Sequence, residues 1–105
     1  MRHVPIPAAV REDISRLRKL LPPGYPVIVR SGKPGLFNVA ECGFARRRFT
    51  ITIDAAEMKC ERMWREVVAH EWAHTLVWGI PRSKDHDDMW GAAYARCYCV
   101  VFRTR

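Results

Sequence analysis

The stretch DAAEMKCERMWREVVAHEWAHTLVWGIP, residues 54–81, decides the fold of this chain because it contains one long helical segment and its end. From Met58 to Trp78 it is rich in helix formers and contains neither Pro nor Gly. Gly79 suits a left-handed C-terminal cap, and Pro81 follows within two residues. The sequence therefore predicts a helix that ends at about Trp78.

The beginning of this segment leaves two alternatives. Asp54 and Glu57 have the spacing of a capping box, in which an N-cap side chain and a Glu three residues later satisfy the first backbone N–H groups. The part up to about Arg62 is then either the first turns of the long helix or a separate short helix or turn.

Inside the helical segment, His70-Glu71-Trp72-Ala73-His74 forms an H-E-x-x-H motif. Residues i and i+4 lie about 40° apart around a helix, so both imidazoles can reach one metal ion. Glu71 lies beside them and could take a proton from a metal-bound water. The surrounding positions are mostly apolar, which predicts a buried helix and a dry wall for such a site.

A third ligand is expected because catalytic zinc usually has three protein ligands and one open position. No Glu follows Glu71, and His86 is the only His after His74, so His86 is the first candidate. Asp85, Asp87 and Asp88 are alternatives, because carboxylates also bind zinc. Cys97 and Cys99 are weaker candidates, because residues two apart on a helix point to nearly opposite sides.

The motif, the short turn after it and His86-Asp87-Asp88-Met89-Trp90 together resemble the core of the SprT-like (Spartan-type) zinc metallopeptidases. The resemblance spans residues 51–101, about half of the chain, and it rests on the spacing of such motifs. It implies His70, His74 and His86 as zinc ligands and Glu71 as the catalytic carboxylate. Two features depart from the family pattern: Asp87 replaces the usual Gly after the third His, and the Cys-rich zinc ribbon of many members is missing.

The hypothesis for function is a zinc-dependent metallopeptidase, in which Glu71 activates a zinc-bound water to hydrolyse a peptide bond. Tyr94 is the candidate transition-state stabiliser, because it lies eight residues after His86 and so on a similar helix face. The alternative is a non-catalytic, zinc-stabilised basic module that binds nucleic acid or a protein partner. A third option is a peptidase-like regulator that cuts one dedicated partner.

Length and composition indicate the number of domains, the compartment and the partners to expect. The 105 residues predict one domain, residues 1–105, and the apolar fraction of 49% argues against disorder. The sequence has no signal-peptide pattern and no apolar run long enough for a membrane span. The cysteines lack C-x-x-C pairs and read as free thiols, so a reducing cytoplasm is expected. The net charge of +7 suggests contact with nucleic acid through basic patches, although a solvated surface explains the same residues. These patches are Arg16–Lys19, Arg46–Arg48, Arg103 and Arg105.

The remaining patterns predict an α+β domain, with helices on one side of a small three-stranded antiparallel sheet. An N-terminal helix should run from Pro7 to about Leu21. Strands are expected around Val27–Val29, over Leu36–Cys42 and over Arg48–Ile53, with residues 43–47 as the hairpin between the last two. A final helix is predicted from about Asp87 to Phe102. The tryptophans Trp72, Trp78 and Trp90 are expected to pack in the core around the site.

Overall fold

The computed structural model describes residues 5–35, 38–80 and 86–103, and these form an α+β fold. Helix α1, Ala8–Leu20, is followed by the three strands of one sheet and by two further helices. The strands are β1 (Val27–Ser31), β2 (Ala40–Ala45) and β3 (Arg48–Ile53), and the helices are α2 (Glu61–Val77) and α3 (Asp88–Phe102). The predicted fold class and order of elements are confirmed.

The sheet has the order β1-β3-β2, so the last strand in the chain is the central one. β2 pairs with β3 in the antiparallel direction, whereas β1 pairs with β3 in the parallel direction. The prediction of a wholly antiparallel sheet is therefore wrong. The physical reason is that the segment between β1 and β2 is long enough for β2 to lie one strand position away from β1. The hairpin then brings β3 back into the space between them, parallel to β1.

The second strand also lies later than predicted. It begins at Ala40 and continues through Gly43 to Ala45, and the hairpin turn consists of Arg46 and Arg47 alone. Both turn residues have positive φ, 54° and 61°, as a two-residue hairpin of type I′ requires. Arginine is an unusual residue for that turn, so the pattern pointed to Gly43 instead. Leu36 and Phe37, at the start of the predicted strand, lie outside the described residues.

The capping sequence at residues 54–57 belongs to a separate short helix. The Asp54 side chain accepts a hydrogen bond from the backbone N–H of Ala56 at 3.2 Å, at the start of a one-turn 3-10 helix over Ala55–Glu57. α2 then begins at Glu61. It ends as predicted, in a turn where Gly79 has φ +77° and the N–H of Ile80 donates to the carbonyl of Val77 at 3.3 Å.

The core lies between the sheet and the three helices. Phe49, Ile51 and Ile53 of β3 are buried on the face that packs against α2. α1 contributes Val10, Ile14 and Leu17, which recur at helical spacing and so lie on one face. The opposite face of the sheet lines an open depression. Among the described helices, none combines the length and the apolar character that a membrane crossing requires.

A buried charge cluster joins the three helices. Asp13 of α1 is fully buried, and its Oδ2 accepts a hydrogen bond from Nε of Arg65 on α2 at 2.7 Å. Arg65 also donates to Asp13 Oδ1 and to the carbonyl oxygen of Val101 on α3, at 3.1 and 2.7 Å. Arg16 donates to Asp13 from the same helix. These contacts hold α1 and the C-terminal end of α3 against α2.

Candidate metal centre

Three imidazoles converge where the middle of α2 meets the start of α3. The ring centroids of His70 and His74 are 5.2 Å apart, and His86 lies 4.9 and 5.0 Å from them. One nitrogen from each ring lies within 4.8 Å of the other two, so the three residues could hold a metal ion. The Nε2 atoms of His70 and His86 are separated by 3.0 Å. The predicted grouping of these histidines is thus found in the structure.

The backbone before α3 brings His86 to the other two rings. His86 has φ +57°, in the left-handed region that His adopts more readily than most residues with a side chain. Asp87 has φ −83° and caps α3, because its side chain accepts a hydrogen bond from the N–H of Trp90 at 3.0 Å. Position 87 therefore does not need the conformational freedom of glycine, since the positive φ falls on His86.

Trp90 forms a wall beside all three imidazoles. Its ring centroid lies 4.8, 5.5 and 4.6 Å from those of His70, His74 and His86. The ring of Tyr94 stacks on Trp90 with an interplanar angle of 4° and a centroid separation of 5.2 Å. The sequence predicted Trp90 to be a core residue, but its contacts place it at the site itself.

Glu71 faces the same region from α2. Its carboxylate oxygen Oε2 is 3.7 Å from Nε2 of His70, and its side chain is only 9% exposed. A carboxylate that is so little hydrated and lies beside a possible metal-binding group could take and return a proton. The position predicted for Glu71 from the motif is thus consistent with the role proposed for it.

Cys42 is a site residue that sequence reasoning missed. It lies on β2 and lines a cavity of about 380 Å³ with Glu71 and the three histidines. Burial, together with the negative charge of Glu71, raises the pKa of its thiol to about 12. The alternation of side chains along a strand could have identified it, but only with the correct bounds of β2.

The cavity extends along an exposed strand. β2 is an edge of the sheet, and residues 38–42 border the cavity opposite the histidines. A second depression of about 530 Å³ adjoins it, lined by Asn38–Ala40 on one side and by Met63, Glu66, Val67 and Tyr94 on the other. The site is therefore an open groove between β2 and the α2–α3 pair.

The alternative ligands lie elsewhere or outside the description. Cys97 is fully buried in the core, Cys99 and Asp88 are exposed, and Asp87 caps α3. Asp85 lies outside the described residues. Within ranges 5–35, 38–80 and 86–103, the group of three or more potential ligands is His70, His74 and His86 alone.

The donor set fits zinc. Neutral imidazole nitrogens are common zinc ligands, with Zn–N bonds of about 2.0–2.1 Å, and a tetrahedral ion would hold them about 3.3 Å apart. The observed nitrogen separations, from 3.0 Å for one pair up to 4.8 Å, bracket that spacing. Three imidazoles also suit other divalent transition metals, so the geometry defines a metal site without selecting the ion.

Comparison with models of known protein families, with curated proteins and with solved structures finds no match to this chain.

Proposed function

We propose that this protein is a zinc-dependent metallopeptidase of the SprT-like type. The observation that supports this most strongly is the combination of three convergent imidazoles with one buried carboxylate, Glu71, in an open groove. His70, His74 and His86 would hold the zinc ion. When bound, the ion would lower the pKa of a water molecule and polarise the scissile carbonyl.

Glu71 performs the proton transfers in this proposal. It accepts a proton from the attacking water and returns it to the leaving amine, so one carboxylate acts first as base and then as acid. Its low exposure keeps competing water away from the carboxylate. Its Oε2 atom is 3.7 Å from Nε2 of His70, so the carboxylate lies beside the residues that would hold the ion.

Tyr94 is proposed to stabilise the transition state. It lines the groove with His70 and Glu71, and its ring is 6.2 Å from that of His70. Burial raises the pKa of its hydroxyl, so the group stays protonated at neutral pH and can donate a hydrogen bond to a developing oxyanion.

The free edge of β2 is proposed to bind the peptide. An edge strand presents unpaired backbone groups to which an extended segment can add as a further strand. Because residues 38–42 border the cavity, a peptide on this edge would pass the three histidines and Glu71.

The open metal site favours an enzyme over the zinc-stabilised binding module. A structural zinc site is closed by four protein ligands and has no use for a neighbouring base. Among the described residues the ligand group has three members, and Cys97, a candidate fourth ligand, is packed in the core. The thiols of Cys42 and Cys97, which are not in disulfides, support a reducing compartment such as the cytoplasm.

The test compares Glu71→Gln with the unmodified protein, both loaded with zinc, on casein as an unstructured substrate. We expect one zinc per chain in both proteins and a loss of casein hydrolysis of at least about 100-fold in the variant. Glu61→Gln is the matched control, because Glu61 lies on the same helix but in its exposed first turn, and it does not line the groove. Equal hydrolysis by Glu71→Gln and the unmodified protein would overturn the proposed role of Glu71.

A further inference from the structure

Four aromatic side chains form a cluster at one end of the groove, here called the aromatic shelf: Tyr25, Phe44, Phe49 and Trp78. Phe49 is buried at its centre, with ring centroids 4.9 Å from Phe44, 5.8 Å from Trp78 and 6.4 Å from Tyr25. The outer three remain exposed, Tyr25 by 40%, Phe44 by 38% and Trp78 by 45%. A contiguous group of exposed aromatic rings on a small protein marks an interaction site.

Trp78 is predicted to pack in the core, but the structure leaves its side chain exposed. It follows the last helical residue of α2 and has φ −62° and ψ 132°, so the chain leaves the helix there. Its ring consequently lies over the end of the sheet, 6.5 Å from the ring of Phe44, with nearly half of its surface open to solvent.

The shelf is continuous with the metal centre through Trp78. Trp78 lines the same cavity as His74 and His86. Along β2, alternate residues share one face, so Ala40, Cys42 and Phe44 point to the same side of the sheet. The first two line the cavity, and Phe44 continues that row onto the shelf. The shelf therefore begins where the cavity ends.

We propose that the aromatic shelf is a substrate subsite that holds one large apolar side chain, with Phe44 and Trp78 as the residues that determine this preference. The proposal rests on the proposed function, because it names the class of peptide that the same groove would select. A peptide paired with the edge of β2 has side chains on one face about every 6.7 Å. A residue beside Phe44 would thus lie two positions from the residue beside Cys42, within about three residues of the cut bond.

The chemistry of the shelf specifies the occupant. Tilted aromatic rings with exposed faces favour another aromatic ring or a long aliphatic chain, which gains by leaving water. The margin of the shelf is basic, with the guanidinium carbon of Arg47 located 5.8 Å from the centre of the Tyr25 ring. That positive charge would repel a Lys or Arg side chain in this subsite. The uncharged side chains of Phe, Tyr, Trp, Leu and Met would not be repelled.

The first experiment measures cleavage preference. The zinc-loaded protein is incubated with a library of peptides from a digested bacterial lysate, and the cut sites are mapped by mass spectrometry. We expect large apolar residues to be enriched at one position within about three residues of the cut bond. The preference is the rate of cleavage of peptides with a large apolar residue at that position, divided by the rate for peptides with Ala at the same position. This ratio should fall about tenfold in Phe44→Ala and in Trp78→Ala. Ile28→Ala is the matched control, because Ile28 is also an exposed apolar residue, at 40%, but lies on the open face of the sheet.

The second experiment measures binding without catalysis. N-acetyl-phenylalanyl-alanine amide is titrated into zinc-loaded Glu71→Gln, with N-acetyl-alanyl-alanine amide as the reference, and the indole N–H resonance of Trp78 is followed by NMR. We expect only the Phe peptide to shift this resonance, and Phe44→Ala to reduce the shift severalfold. The resonance is assigned with Trp78→Phe.

The two experiments separate this proposal from the proposed function. Binding of the Phe peptide to the shelf by a protein that cuts nothing would retain the subsite and overturn the peptidase. Cleavage without enrichment, or with enrichment unchanged in Phe44→Ala and Trp78→Ala, would overturn the subsite and retain the peptidase. A dimer in sedimentation that Trp78→Ala dissociates would also overturn the subsite, because the shelf would then be covered by a second copy.

Discussion

Nε2 of His70 and Nε2 of His86 lie 3.0 Å apart, although one ring projects from the middle of α2 and the other from the residue before the cap of α3. Each nitrogen has one lone pair or one proton in the ring plane, so both can act as metal ligands when the rings are neutral and that nitrogen carries no proton. A cation held by both nitrogens would be bound by both helices at once. The relationship links metal affinity to the packing of α2 against α3.

Loss of His86 should weaken metal binding sharply. We expect His86→Asn to lower the zinc affinity by at least about 100-fold, since removal of groups that only orient a ligand already costs 10–100-fold. Asn is chosen because it tolerates the left-handed backbone at this position, φ +57°, so the change tests the ligand rather than the fold. Competition with a chromogenic chelator measures the affinity.

Asp88→Asn is the control for that measurement, because Asp88 is exposed in the first turn of α3, two residues from His86. Its zinc affinity should stay within about threefold of the unmodified protein. Unchanged affinity in His86→Asn would move the third ligand to another residue.

Two glycines should respond to alanine in opposite directions. An added methyl group would meet no atom within 4 Å at either Gly79 or Gly91, so packing does not distinguish them. Gly79 has φ +77°, and Gly79→Ala should lower the free energy of unfolding by about 1 kcal/mol. Gly91 lies in α3, and Gly91→Ala should raise that free energy by about 0.5–1 kcal/mol. Urea unfolding followed by circular dichroism measures both, and a matching sign in the two variants would refute the backbone explanation.

Removal of the buried carboxylate of Asp13 should destabilise the whole domain. Asp13→Ala leaves Arg65 largely buried without its charge partner, and we expect a loss of about 3 kcal/mol or more of unfolding free energy. The hydrogen bond that Arg65 donates to Asp13 raises the pKa of the guanidinium in the unmodified protein. Arginine stays charged in proteins even without such a partner, so the variant retains the positive charge. Glu12→Ala, at an exposed neighbouring position on α1, should change stability by less than about 0.5 kcal/mol. Equal effects in the two variants would exclude a stabilising role for the cluster.

Alkaline destabilisation should depend on Cys97. Burial raises the pKa of this thiol from 9.0 in its ordinary state to about 12 in the folded protein. Above pH 9 the unfolded chain loses the proton more readily than the folded chain, so the stability from the neutral thiol is lost between about pH 9 and pH 12. Each pH unit in this window lowers the unfolding free energy by up to about 1.4 kcal/mol through this group.

Cys97→Ala should therefore show a shallower decline in stability across that window than the unmodified protein. Cys60→Ala is the control, because Cys60 is exposed, and its pH dependence should match that of the unmodified protein. Parallel pH curves for all three proteins would show that Cys97 does not contribute.

The local parts of the fold and the site could be predicted from the sequence. Neighbouring residues specify where α2 ends and where α3 begins: Gly79 follows the end of α2, and Asp87 precedes the start of α3. The pairing of His70 with His74 follows from helical spacing alone. His86 could be selected because the chain offers no other His after the motif.

The remaining features depend on contacts between distant segments. The parallel pairing of β1 with β3 is decided by the path of the intervening chain, which has no periodic signature. The place of Cys42 beside the site follows from the register of β2, which in turn depends on the Arg46–Arg47 turn. Trp78 lies in the open because the helix ends just before it, a difference of one residue that sequence patterns do not resolve.

The mixed sheet has a consequence for biosynthesis. Strand β1 (Val27–Ser31) leaves the ribosome before β3, the strand with which it pairs among the described residues, and the paired residues of β3 follow 22 positions later. The nascent chain therefore exposes the apolar run Val27-Ile28-Val29 until the β2–β3 hairpin has formed and presents a free side to it. Slow translation between residues 31 and 53 would therefore prolong the interval in which the first strand can aggregate.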